Sequence, residues 1–169
     1  MTDLIDEGRG PAIVFLHGAG VDNALWAPQH THFHRSHRVV IPNLPGHGGV
    51  PAVGCVEQMA EDVHARLQGI RVDRYALAGL SLGGMVALEI ATRWSNEVSH
   101  LGLIEAVPTV TSSAVARRVI AACLWPMKLI PPRWMARLPA RTLGAATPAA
   151  AAPLAAALHR LNSRQAPPL

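Results

Sequence analysis

The stretch Gly79-Leu80-Ser81-Leu82-Gly83, a G-x-S-x-G pattern, carries the residue types best suited to chemistry in this chain. A serine hydroxyl attacks a carbonyl carbon only when a base takes its proton. A sharp turn between a strand and a helix pushes such a serine into a strained, exposed position. The glycines beside it are needed because side chains there would clash with neighbouring backbone. The pattern alone arises by chance, and its test is a strand before it and a helix after it. Residues 74–78 read as a short buried strand, and residues 84–94 read as a helix. The competing use of Ser81 is to cap the helix that begins near Leu82.

The other elements must bring this turn to one end of a sheet. Ala12-Ile13-Val14-Phe15-Leu16 is a continuous apolar run, as found in strands buried on both faces of a parallel sheet. It ends at His17-Gly18-Ala19-Gly20, and a helix is expected over residues 23–33. Arg38-Val39-Val40-Ile41 reads as the next strand, stopped by Pro42 and followed by the loop Asn43-Leu44-Pro45-Gly46-His47-Gly48-Gly49. Helical spacing returns over residues 55–67, where Val56, Met59, Val63 and Leu67 share a face. Strand 75–78, helix 84–94 and strand 98–104 complete the alternation. Alternating strands and helices imply βαβ units, and right-handed crossovers put helices on both faces. The expected fold is α/β, three layers around a mostly parallel sheet. After Pro108 the pattern changes to short helices over 111–139, broken by Pro126, Pro131 and Pro132, and then to low-complexity sequence over 140–169.

Composition narrows the function classes. The chain has 169 residues, 50% of them hydrophobic and 15% charged, which suits one domain with a real core. All 11 acidic residues lie at or before Glu105, whereas eight of the 15 basic ones lie after it. These basic residues are scattered rather than clustered, so a solvated or partly folded segment is favoured over a nucleic-acid surface. The apolar run 119–127 is too short to span a membrane, and Pro148 and Pro153 interrupt the alanine-rich stretch 142–158. The acidic start, Met1 to Glu7, has none of the parts of a signal peptide. Cys55 and Cys123 form no C-x-x-C pair, which suits a reducing, cytoplasmic setting. No histidine–carboxylate cluster has metal-ligand spacing, and no glycine pattern suits a dinucleotide, so no metal or cofactor is expected.

His17-Gly18, Pro45-Gly46-His47-Gly48 and Gly79-Leu80-Ser81-Leu82-Gly83-Gly84 follow successive strands in that order. Together they resemble the α/β-hydrolase fold family, in its lid-bearing esterase, lactonase and haloperoxidase-like branch. The resemblance covers residues 8–108 well and 109–140 loosely, as the start of a helical lid. It implies three parts: a partial hydrolase core over 1–108, a partial lid over 109–140 and an Ala/Pro-rich tail over 141–169. It also implies Ser81 as nucleophile and backbone N–H groups of Leu82 and Ala19 as the oxyanion hole. His17 would hold the oxyanion loop, and His47 would be structural. The serine that often follows this second turn in the family is replaced by Gly49-Val50-Pro51.

In this family the acid and the histidine follow the nucleophile on loops after later strands. The chain stops at Leu169, in or just after the expected lid, so it reads as a hydrolase shortened at both ends, more severely at the C-terminus. Glu105, at the end of the strand after the elbow helix, is a candidate acid; an ordinary exposed loop carboxylate or a helix-capping group is the favoured alternative. His100 sits at the wrong end of its strand, and His159 lies in a helix-like context with nothing to place it over Ser81. Trp125, Met127, Leu129, Ile130, Trp134 and Met135 read as packing core before they read as a substrate pocket. A sheet lacking its last strands exposes a hydrophobic edge along Leu101-Gly102-Leu103-Ile104, which implies poor solubility, or a partner or second fragment that covers it. The leading expectation is a serine hydrolase for a small ester, lactone or related acyl substrate. The alternative is a non-catalytic remnant that binds a ligand or partner.

Overall fold

Five strands and the helices between them are set out by the structure, a computed structural model that describes residues 2–106. The expected lid and tail, with His159, lie outside the described residues. The strands are β1 (Leu4–Glu7), β2 (Ala12–Leu16), β3 (Arg38–Pro42), β4 (Tyr75–Leu80) and β5 (Val98–Ile104). They form one sheet in the order β1-β3-β2-β4-β5. β1 runs antiparallel to β3, and all other pairings are parallel.

Register divides the apolar strand residues between two faces. Val14 pairs with Val40 and with Leu77, whereas Ile13 pairs with Val39 and with Ala76. Successive side chains point to opposite faces, so both faces must be covered. Helices α2 (Val56–Gly69) and α3 (Leu82–Arg93) cover the first face, and Val14, Leu16, Val40, Val63, Leu67, Leu77, Val86 and Ile90 form its core. A 3-10 turn over Asn23–Trp26 and helix α1 (Ala27–Phe33) cover the second, around Phe15, Trp26, Val39 and Ile41. The sheet is therefore the middle of three layers, as the alternation of elements requires. On α2 the expected stripe faces the core: Val63 and Leu67 are fully buried, and Val56 and Met59 pack beside them.

Three boundaries differ from the sequence reading. The single helix expected over 23–33 is a 3-10 turn followed by α1, with Pro28 in the first turn of α1. Proline has no N–H to continue a preceding turn but fits the start of a new helix. β4 runs on through Gly79 and Leu80, because Gly79 pairs with Leu16 instead of ending the strand. Helix α3 begins at Leu82, not Gly84, so Ser81 alone separates strand from helix. At the N-terminus, where the sequence reads as shortened, a four-residue strand, β1, pairs Leu4 with Pro42 and Glu7 with Val39.

Among the described residues β5 is an edge of the sheet. Its Leu101, Leu103 and Ile104 are 39%, 41% and 44% exposed, along the stretch expected to form an open hydrophobic edge. Among the described residues no helix is long and apolar enough to cross a membrane.

Candidate active site

Ser81 has φ 51° and ψ −114°, a backbone conformation that side chains other than hydrogen rarely adopt. The conformation is imposed from both sides. The Ser81 N–H donates to the Ile104 carbonyl of β5 at 2.9 Å, tying the turn to the sheet. Its carbonyl accepts from Gly84 N–H at 2.9 Å and Met85 N–H at 3.1 Å, which starts α3. The side chain makes no capping hydrogen bond, and the residue is exposed. The capping role considered for Ser81 is thus overturned: at φ 51° it lies far from the extended conformation that aims a capping oxygen at the helix N–H groups.

Glycines let α3 approach this close. A Cβ on Gly79 would lie 2.2 Å from the Gly83 carbonyl oxygen, and one on Gly83 would lie 2.3 Å from that of Leu16. A Cβ on Gly84 would meet the Ala106 methyl at 2.3 Å. Gly18 brings the loop after β2 against the elbow, its Cβ position lying 3.7 Å from Ser81 Cβ. That is ordinary contact, so close approach does not demand glycine at 18.

Both motif histidines bind backbone through both ring nitrogens. The buried His17 accepts the Leu44 N–H at Nε2 (3.0 Å), so its Nδ1–H donates to the Gly18 carbonyl (2.8 Å). Burial pushes its pKa down to about 4. His47 accepts the Gly20 N–H at Nε2 (3.1 Å) and donates from Nδ1 to the Pro45 carbonyl (3.1 Å). A nitrogen facing an amide N–H must be the acceptor, which assigns each tautomer.

Around the elbow, then, the fold gathers Ser81, the Leu82 N–H at the start of α3, and the loop His17-Gly18-Ala19-Gly20. The first residues of a helix have no intrahelical partner for their N–H groups, which leaves Leu82 a free donor. Glu105 follows the last residue of β5, is exposed and has φ 49°. Its predecessor, Ile104, receives the Ser81 N–H, so Glu105 stands at the same end of the sheet. His100 stands near the start of β5, its ring beside Ser99, away from Ser81 along the strand. Among the described residues no group of three or more His, Cys, Asp or Glu side chains could hold a metal ion.

Sequence reasoning missed Asn43. Its buried Oδ1 accepts the Asn23 N–H at 2.7 Å, and Arg66 of α2 donates to its carbonyl at 2.8 Å. A Cβ on Gly48, at φ 58°, would overlap the Asn43 side chain at 1.9 Å. An asparagine next to a Pro-Gly-x-Gly turn is the only signal the sequence offered.

A family model described as the alpha/beta hydrolase family matches residues 13–169. A pimeloyl-[acyl-carrier protein] methyl ester esterase from Aromatoleum aromaticum is 37% identical over 120 residues, covering 70% of this chain and 45% of the relative. The chain spans less than half the length of the curated relatives it matches. Among solved structures, Est816, described as an N-acyl homoserine lactone degrading enzyme, aligns with a TM-score of 0.59 at 30% identity, covering 61% of this chain and 41% of that one. A thermophilic esterase from Thermogutta terrifontis aligns with a TM-score of 0.68 over 95% of this chain and 66% of its own. At 22% identity that likeness shows the fold alone.

Proposed function

This chain belongs to the alpha/beta hydrolase family, and we propose that it is a serine-type hydrolase for a small ester, lactone or related acyl substrate, with Ser81 as nucleophile. The supporting observation is the elbow itself: an exposed serine at φ 51° between β4 and α3, its side chain unused by the helix cap. Relatives named for a methyl ester and for an acyl lactone support the acyl substrate class.

In this reading the Ser81 oxygen attacks the substrate carbonyl carbon. The carbonyl oxygen takes up negative charge, and the N–H groups of Leu82 and Ala19 receive it. The C–O bond to the alcohol breaks, leaving an acyl group on Ser81, which water then releases as the acid. A base must accept the Ser81 proton. Neither motif histidine serves, since each ring has both nitrogens bound to backbone. In this reading the base is supplied from outside residues 2–106. Glu105, at the right end of the sheet, is the candidate acid to orient it. The open β5 edge is where a partner or second fragment would join the sheet and bring such a group. Cys55, exposed and in no disulfide among the described residues, suits a reducing, cytoplasmic setting.

The same engagement of both histidines favours a second reading, a module that binds an acyl ligand without turning it over. A fluorophosphonate probe separates the two. Labelling of the full chain that disappears in Ser81→Ala is the expected result. Folded protein that never labels rejects an activated serine in this chain by itself and favours the binding module.

A further inference from the structure

We propose that His47 is a positioning residue that acts with His17 as a two-imidazole clamp, selecting which amide of the loop after β2 is left to face the oxyanion. The inference rests on Ser81 as nucleophile and deepens that reading.

The two loops exchange backbone hydrogen bonds through the two rings. The loop after β3 gives the Leu44 N–H to His17, and the loop after β2 gives the Gly20 N–H to His47. Each ring also closes on its own loop, His17 on the Gly18 carbonyl and His47 on the Pro45 carbonyl. The rings meet edge to face, with centroids 5.2 Å apart at 67°. Asn43 adds a third tie by accepting the Asn23 N–H at 2.7 Å.

These hydrogen bonds decide the chemistry of the loop. The Gly20 N–H is consumed by His47, and the Gly18 carbonyl is turned to His17. The amide between them, on the exposed Ala19, remains uncommitted beside the elbow. Without His47 the Gly20 N–H would compete for the same charge, and the loop, with Gly20 at φ 76°, would lose its tie. The turn that presents His47 is shaped for the purpose. Gly46 and Gly48 take φ 83° and 58°, and Gly48 packs where any side chain would strike Asn43. A donor aimed at developing charge must be held within a fraction of an ångström, so a tie remote from the reacting atoms still acts on the rate.

The test uses the full chain as wild type, His47→Ala and His47→Gln. Glutamine offers an acceptor oxygen near the position of Nε2, whereas alanine offers none. Nitrogen NMR of the wild type is expected to show both rings protonated at Nδ1 and not at Nε2. His47→Ala is expected to move the Gly20 amide resonance upfield and to slow fluorophosphonate labelling of Ser81 by about tenfold or more. His47→Gln is expected to recover most of both, with all three proteins folded at the temperature of assay. A ring protonated at Nε2, a Gly20 amide unmoved in His47→Ala, or alanine labelling as fast as wild type overturns the clamp. If wild type does not label, the nucleophile fails and with it the oxyanion role of the clamp, while a shifted Gly20 resonance still upholds the tie between the two loops.

Discussion

At the scale of single residues, the elbow and the clamp both work by withholding groups from their ordinary partners. Ser81 makes no cap bond, and Ala19 keeps its N–H because His47 takes the neighbouring one. His17 shows the energetic side of this arrangement. Its Nε2 faces an amide N–H in a buried position, so the charged ring is unfavourable and its pKa falls to about 4 from 6.5. Burial outweighs the Gly18 carbonyl and Asp22, which favour a positive charge, and His47 and Arg66 oppose one as well. Well above pH 6.5 the ring is neutral in folded and unfolded chains alike, so it adds no pH dependence there. As pH falls from 6.5 towards 4, the unfolded chain takes up a proton that the folded one refuses, and stability drops. The loss expected from this group is about 2 to 3 kcal/mol by pH 4.5. Urea denaturation at pH 7 and pH 4.5 measures it, with His17→Gln as reference for the other histidines. Wild type should lose more stability than the variant over that interval, and equal losses reject the assignment.

At the scale of elements, the approach of α3 to β2 and β4 builds the site. A methyl on Gly83 would fall 2.3 Å from the Leu16 oxygen and 2.5 Å from the His17 oxygen. Both are backbone atoms of β2 and its loop, so the helix itself would have to move. Gly83→Ala is expected to cost about 2 to 4 kcal/mol in denaturant unfolding. Gly69→Ala, where nothing lies within 4 Å, should be neutral or stabilising by up to about 1 kcal/mol. Comparable stabilities for the two variants would reject the close-approach account. Much of this level was legible in the sequence. The apolar run 12–16, the stripe on α2 and the glycines of the elbow carry their reasons locally. What escaped was set by tertiary pairing. The strand read over 74–78 runs on to Leu80 because Leu16 stands opposite Gly79, and β1 forms because β3 offers its outer side. The link from His47 to Gly20 spans 27 residues, and Asn43 acts on Asn23 across 20, so spacing gave no sign of either.

At the scale of the whole molecule, the sheet ends on β5, among the described residues, with three large apolar side chains in view. By register Leu101 and Leu103 lie opposite Leu77 and Gly79, on the α2–α3 face, whereas Ile104 lies opposite Leu80 on the other. Exposed apolar residues on both faces of an edge strand, with one side of its backbone unpaired, are a template for joining another strand. Relatives more than twice the matched length carry further chain beyond the aligned region. If nothing covers this edge, it is expected to drive self-association. A lysine at 101 places charge on the edge, near the strand middle and away from Ser81, at a position already 39% exposed. Leu101→Lys is therefore expected to weaken concentration-dependent association, at a cost of no more than about 1 kcal/mol in unfolding. Sedimentation velocity over a concentration series reads the first effect and urea denaturation the second. Association that persists unchanged in the folded variant locates the contact elsewhere than β5.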